Sequence, residues 1–132
     1  MGRSELRQHI FKMLFLIEFN GTDEMPEQIE LYFDKIEEIS EKDRAYIEKK
    51  HAAIVEKVEE IDTMLNECTT GWKTSRMNKV DLTILRLAVY ELKWDEEVPV
   101  GVAINEAVEL AKKYSSDEGP AFINGVLAKL AD

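Results

Sequence analysis

The residues of this chain that are suited to catalysis or metal binding are few and scattered. Two histidines and one cysteine, His9, His51 and Cys68, do not have the spacing of a metal site. No glycine-rich phosphate loop or serine-nucleophile motif is present. Glu106 and Glu109 have the i, i+3 spacing of a metal-binding carboxylate pair, but an ordinary solvated pair on a helix has the same spacing. The sequence therefore predicts a protein that is not an enzyme and that uses no metal or cofactor.

A strip of basic and aromatic residues near the N-terminus has a pattern suited to single-stranded nucleic acid. Residues 4–19 have the helical period. At about 100° per residue, one flank of this helix carries Arg3, Arg7, Phe11 and Phe15. Arginine neutralises phosphate and aromatic rings stack on unpaired bases. The same pattern arises when the phenylalanines are core residues and the arginines are solvated, so periodicity leaves both interpretations open.

The charge of the chain is unevenly distributed. The net charge of −10 argues against a nucleic-acid partner. However, residues 1–17 contain three basic residues and one acidic residue, whereas residues 18–67 contain six basic and sixteen acidic residues. A phosphate-binding surface outside the acidic part therefore stays possible.

Composition predicts one folded, cytoplasmic domain. The chain has 132 residues, of which 45% are apolar, enough for a substantial core. Cys68 has no possible partner within the chain, which favours a reducing compartment. No apolar run approaches the roughly 20 residues of a membrane helix. Glu5 and the absence of a small-residue cleavage site argue against a signal peptide.

Helical periodicity continues along the chain, and no segment has a convincing strand pattern. The second helix is predicted to begin at Pro26 and to end near Ser40, and the third to reach Leu65. Residues 69–71 break the third helix, and Trp72 is expected to anchor a short connecting segment. We expect an all-α protein, a compact bundle of about six to seven helices.

The segment VDLTILRLAVYELK, residues 80–93, is predicted to be the central helix. It is apolar around most of its circumference, which indicates burial by neighbours on several sides. Asn78 is placed to cap it, and Asp81 occupies the capping-box position. Further helices are expected from residues 98–99 and after a loop at residues 115–120.

Four residues inside helices are predicted to have structural roles. His51 fits an edge-of-core histidine, and Arg86 and Glu91 are expected to form internal or inter-helix pairs. Gly125 costs about 1 kcal/mol in helix propensity, so a close approach of another backbone is its expected reason.

Three stretches of the C-terminal half match one known family in order: VDLTILRLAVYEL at 80–92, VPVGVAINEAVELAKKY at 98–114 and FINGVLAKL at 122–130. They resemble the NusB family of bacterial transcription antitermination factors. RSELRQHIFKMLF at 3–15 is similar to the arginine-rich first helix of that family, whereas the acidic middle matches only in helical pattern and length. The resemblance implies a single NusB-like domain over residues 1–132, with two packed helical subdomains at about 1–68 and 69–132.

The resemblance also implies an RNA-binding function. Members of the family bind the boxA sequence of nascent RNA jointly with NusE, a small-subunit ribosomal protein. The assembly joins elongating RNA polymerase and other Nus factors and promotes read-through, notably in ribosomal RNA operons. Carried over by position, the RNA-binding residues would be Arg3, Arg7, Phe15, Lys112, Lys113, Tyr114, Phe122 and Asn124. Asp81 matches an acidic family position on the NusE surface.

The chain departs from the family pattern in its first helix. Ser4 and Glu5 stand within a stretch where the family often has a run of arginines. We therefore expect weak RNA binding by the protein alone, a shallow salt dependence and an affinity that arises largely jointly with NusE.

Several alternatives stay open at this stage. Lys112 and Lys113 could simply complement the helix dipole, and Tyr114 and Phe122 also fit a core role. The chain could be an acidic helical adaptor that binds protein without RNA. It could also be a stand-alone relative of the helical RNA-binding domain fused to ribosomal RNA cytosine methyltransferases, although 132 residues leave no room for a methyl-donor domain. A monomer and a homodimer formed through the first helix are both compatible with the sequence.

Overall fold

The structure is a computed structural model that describes residues 1–69, 71 and 73–131. Within these residues the chain forms six α-helices and no strand, which confirms the predicted all-α fold. The helices are α1 (Arg3–Phe15), α2 (Met25–Asp34), α3 (Glu41–Cys68), α4 (Lys79–Trp94), α5 (Val100–Tyr114) and α6 (Gly119–Ala131). Short 3-10 turns occupy Leu16–Glu18 and Thr74–Arg76. Among the described residues, no helix combines the length and the hydropathy that a membrane-spanning segment requires.

The chain divides into two compact units, Met1–Val55 and Glu56–Asp132. The division falls within α3, so that one helix contributes to both units. The division into packed helical subdomains at about 1–68 and 69–132, which the resemblance implies, stays a prediction. Trp72, the expected anchor of the connecting segment, lies outside the described residues.

The first unit differs from the predicted helix boundaries at the end of α2. Lys35 N–H bonds to the Tyr32 carbonyl and Ile36 N–H to the Phe33 carbonyl, a 3-10 pattern that ends the helix well before Ser40. The Ser40 Oγ instead accepts a hydrogen bond from Asp43 N–H at 3.1 Å. Ser40 therefore caps the start of α3.

Polar contacts join the helices of the first unit. His9 Nδ1 lies 2.7 Å from the Tyr32 hydroxyl, which connects α1 to α2. The Arg44 guanidinium lies 4.5 Å from the centroid of the Phe33 ring and 2.9 Å from a carboxylate oxygen of Glu30. These contacts connect α2 to α3.

The second unit is organised around α4, as its sequence predicts. Every residue from Asp81 to Val89 is buried, and α4 contacts both α5 and α6, which also contact each other. The Asn78 Oδ1 accepts a hydrogen bond from Asp81 N–H at 2.8 Å, so the predicted N-cap is confirmed. The internal pair predicted for Arg86 is also confirmed: its guanidinium makes two bonds to Asp62 of α3, at 2.8 and 3.0 Å.

The structural roles expected for Gly125 and His51 both differ from what the structure shows. The prediction that Gly125 permits a close backbone approach is wrong, because a Cβ built there meets nothing within 4 Å. Gly125 is exposed, and nothing in the described structure requires a glycine at this position. His51 is more deeply buried than an edge residue, with 4% of its side chain exposed.

Candidate nucleic-acid interface

The basic and aromatic strip of α1 is only partly accessible. Arg3 is exposed and Phe15 is half-buried, whereas Arg7 is 6% exposed and Phe11 is 4% exposed. Residues four apart on a helix are rotated by about 40°, so the strip winds across the edge of the buried face. Arg7 also interacts within the protein. The strip is therefore accessible at its two ends and buried in its middle part, and direct RNA contact by Arg7 stays a prediction.

The aromatic series continues beyond Phe15 to a residue that the sequence reasoning missed. Phe19 is 66% exposed, and its ring packs edge-to-face on Phe15 with centroids 5.1 Å apart and an interplanar angle of 66°. Phe15 is supported from the other side by Phe11, at a centroid distance of 6.3 Å. The signal was available in the sequence, because Phe19 extends the four-residue spacing of the strip by one step.

The 3-10 turn after α1 fixes the position of Phe19. Phe19 N–H bonds to the Leu16 carbonyl at 3.1 Å, and Asn20 Nδ2 donates to the same carbonyl at 2.9 Å. The Leu16 carbonyl, which follows the end of α1, therefore accepts two hydrogen bonds. The turn holds an exposed ring beside a half-buried one.

In the second unit, two residues that the resemblance assigns to different partners line one pocket. Asp81, expected on the NusE surface, and Phe122, expected to contact RNA, both border a cavity of about 160 Å³. The remaining lining residues are Met77, Asn78, Ser116, Glu118 and Gly119. The start of α4 and the start of α6 therefore contribute to the same site.

The Asp81 carboxylate is held by hydrogen bonds on both oxygens. The Ser115 Oγ donates to Oδ1 at 2.5 Å, and Asn78 Nδ2 donates to Oδ2 at 2.9 Å. The residue is 6% exposed. In this position Asp81 joins the start of α4 to the α5–α6 connection, and its contact with NusE stays a prediction.

Gly119 makes that connection possible, which the sequence reasoning missed. A Cβ at this position would overlap Ser115 Oγ, and it would lie 2.5 Å from Ser115 Cβ and 3.4 Å from Asp81 Oδ1. Any larger residue would therefore displace the serine that donates to Asp81. Gly119 is also the first residue of α6, which begins earlier than the predicted loop allowed.

Three further predicted RNA contacts lie on the last turn of α5. Lys112 and Lys113 are exposed, and Tyr114 is half-buried. Lys112 Nζ lies 3.2 Å from a carboxylate oxygen of Glu109, itself exposed, as in a solvated pair. Lys113 Nζ lies 5.5 Å from the centroid of the Tyr114 ring, a cation–π distance.

Asn124, the last of the predicted contacts, does not share a face with Phe122. Two residues along an α-helix correspond to a rotation of about 200°. Phe122 is half-buried and lines the pocket, whereas Asn124 is exposed on a different side of α6. Simultaneous contact of both side chains with one nucleotide is therefore disfavoured.

Both histidines belong to the first unit and have lowered pKa values. Burial is the main cause for His51, whose pKa is partly restored by a hydrogen bond to the Met13 backbone, and its Nε2 is buried with no hydrogen-bond partner. Burial also lowers the pKa of His9, and the charge of Lys12 lowers it further. Within the described residues, no group of three or more His, Cys, Asp or Glu side chains is placed to hold a metal ion.

Comparison with known proteins gives consistent matches along the whole chain. The NusB family model matches residues 4–132. The transcription antitermination protein NusB of Agathobacter rectalis is 53% identical over 131 residues, which cover 99% of this chain and all of that protein. The protein of the same name from Lachnoclostridium phytofermentans is 51% identical over the full length of both chains. These relatives are named for a regulatory activity and not for a reaction, in agreement with the prediction that this chain is not an enzyme.

Solved structures give the same result. A structure of T. maritima NusB has 30% sequence identity and a TM-score of 0.86, covering 99% of this chain and 91% of that one. A chain in the crystal structure of antitermination factors NusB and NusE in complex with dsRNA has 26% identity and a TM-score of 0.78. This second match covers 98% of this chain and 95% of that one. With the matched family model and relatives more than 50% identical over their whole length, the chain belongs to the NusB family.

Proposed function

We propose that this chain is an RNA-binding transcription antitermination factor that acts together with NusE. The observation that carries the proposal is its likeness, over 98% of its length, to a chain from a complex of NusB, NusE and RNA. The names of its relatives support antitermination as the process.

The RNA in this proposal is a boxA-type single-stranded segment. Each unit supplies side chains suited to it: Arg3 and Phe15 in the first, Tyr114 and Phe122 in the second. Arginine neutralises phosphate, and a stacked ring contributes about 1–3 kcal/mol per base. Lys113 beside Tyr114 adds a cation next to a ring. Arg3 and Lys113 are exposed, and the rings of Phe15, Tyr114 and Phe122 are half-buried, so each of these side chains is reachable from solvent.

NusE is proposed to bind the surface around the start of α4. The Asp81 carboxylate is engaged by Asn78 and Ser115, so its main contribution is to shape this surface. The pocket beside it is large enough for one side chain of a partner. Because Phe122 borders the same pocket, a partner there would lie next to a proposed RNA contact, which favours joint binding.

The larger assembly follows from the same proposal. The protein, NusE and RNA would join the elongating RNA polymerase with other Nus factors and promote read-through, notably in ribosomal RNA operons. Such an activity places the protein in the cytoplasm. Ser4 and Glu5 reduce the positive charge of α1, so RNA binding by the protein alone is expected to be weak.

The direct test is a titration of the protein with labelled boxA-type RNA and a scrambled RNA of equal length, with and without NusE, at two salt concentrations. The proposal predicts weak binding without NusE, and with NusE a preference of about tenfold or more for the boxA-type RNA. Equal affinity for both RNAs in the presence of NusE would contradict it. Binding of NusE without any binding of RNA would favour the acidic adaptor instead.

A further inference from the structure

We propose that Phe19 and Phe15 form a stacking site for one unpaired RNA base, with Lys12 supplying the nearby positive charge. This inference rests on the proposed RNA-binding function and adds two residues, Phe19 and Lys12, that the resemblance does not assign. Phe19 is the most exposed of the large apolar side chains described as exposed, at 66%. Its ring packs on Phe15 through one contact and leaves most of its surface to solvent, where burial of a side chain of this size would contribute about 1.5–3 kcal/mol.

The geometry of the two rings suits a flat ligand. Phe15 and Phe19 meet edge-to-face at 5.1 Å with their planes inclined by 66°, so the two rings form a corner in which Phe19 is exposed and Phe15 is half-buried. Phe11 packs behind Phe15 and is buried, which fixes the inner wall of the corner. The outer wall is the Phe19 ring. The Leu16 carbonyl holds it in place by accepting hydrogen bonds from Phe19 N–H and Asn20 Nδ2. A base that enters this corner can stack on one ring and contact the edge of the other.

The surroundings of the corner favour a nucleic acid over an apolar protein segment. Lys12 precedes Phe15 by three residues, so the two share a face of α1, and Lys12 is exposed. Gln8, one turn before Lys12, is polar. A protein interface needs a contiguous patch of several hundred Å², whereas one base needs only a ring and a nearby cation.

The test compares three substitutions at one position in the full-length protein. Phe19→Leu retains an apolar side chain but removes the flat ring, Phe19→Ala removes both, and Phe19→Tyr retains the ring. Leu31→Ala is the control, because Leu31 is an exposed apolar residue of α2 in the same unit. Affinity is measured for the labelled boxA-type RNA in the presence of NusE. Circular dichroism confirms that each variant is folded.

Loss of the ring is expected to weaken RNA binding by about fivefold or more, the lower bound for one stacked base. Phe19→Leu and Phe19→Ala should both show this loss, whereas Phe19→Tyr and Leu31→Ala should bind like the unchanged protein. In RNA carrying 2-aminopurine at successive positions, one position should show fluorescence quenching that Phe19→Leu removes.

The possible failures are distinguishable. If the unchanged protein binds RNA with NusE but Phe19→Leu binds equally well and quenches equally, the stacking site is wrong and the proposed function stands. If Phe19→Leu weakens NusE binding, but the assembled complex of the variant with NusE binds the RNA with unchanged affinity, the corner is a protein-docking site and the inference is overturned. If the unchanged protein does not bind the RNA at all, the proposed function fails and the inference fails with it.

Discussion

The two candidate surfaces of the protein differ in how their side chains are held. In the second unit, Asp81 is fixed by hydrogen bonds from Asn78 and Ser115, and the site depends on a glycine that leaves room for the serine. In the first unit, Phe15 and Phe19 are fixed by ring packing and by the turn that ends α1. One surface is therefore built from contacts between distant segments, and the other from neighbours along the chain.

This difference predicts different responses to substitution. A change in the network around Asp81 removes buried polar contacts, so we expect it to lower the free energy of unfolding as well as partner binding. A change on the α1 surface removes partly solvated groups, so we expect it to alter RNA affinity with little cost in stability.

The largest effect is expected where α4 is joined to α3. Asp62→Ala removes both bonds to the Arg86 guanidinium, whose side chain is 10% exposed. Breaking such a partly buried pair should lower the free energy of unfolding by about 2–4 kcal/mol. Urea denaturation measures this quantity. Glu109→Ala is the control, because it breaks the exposed pair with Lys112 and should change stability by less than about 0.5 kcal/mol. Equal effects of the two substitutions would show that the α3–α4 pair has no special role.

A smaller effect is expected from Gly119→Ala. The added Cβ must displace Ser115, which breaks its bond to Asp81 and overfills the site, so the free energy of unfolding should fall by about 1–3 kcal/mol. Joint binding of NusE and RNA should weaken as well.

Gly125→Ala provides the matched control on the same helix. Nothing lies within 4 Å of a Cβ at that position, so alanine should stabilise the protein by up to about 1 kcal/mol through helix propensity. If the two glycine substitutions have the same effect on unfolding in urea, the assigned role of Gly119 is wrong.

The contrast between these glycines shows what the sequence could and could not predict. Periodicity predicted the buried central helix, and the position of Asn78 predicted its cap, because both depend on residues close in the chain. The same local rules misassigned Gly125 and overlooked Gly119, since the need for a glycine depends on where Ser115 lies in three dimensions.

The features of the candidate sites also differ in whether the sequence could predict them. Phe19 continues a spacing that was already recognised, so it was accessible to sequence reasoning. The burial of Arg7 was not, because it depends on which neighbours cover that edge of α1. Likewise, nothing in the spacing of Asp81 and Phe122 predicts that they line one pocket, since only the packing of α4 against α6 brings them together.

The smallest stability effect is expected from mild acid, and it should be confined to the first unit. Burial holds the pKa of His51 below its ordinary value, so the unfolded chain binds the proton more readily. The stabilising contribution is fully present above the unfolded pKa of about 6.5 and is lost as the pH falls below it. His51→Leu should reduce this loss between about pH 7 and pH 5.5.

Hydrogen exchange measured at both pH values provides the check. Amides in the first unit should exchange faster at the lower pH, after correction for intrinsic rates. Those in residues 56–132, which contain no histidine, should change little. A uniform change across both units, or an unaltered pH dependence in His51→Leu, would argue against the assignment.

The most direct measurement of the central claim is the affinity of Phe15→Ala, Phe122→Ala and the double variant for boxA-type RNA in the presence of NusE. The two rings belong to different units, and the proposed function requires both to contact the same RNA. Each single substitution should weaken binding by about fivefold or more, and the double substitution by about the product of the two effects. If either folded single variant binds the RNA as tightly as the unchanged protein, the claim that both surfaces bind RNA is contradicted.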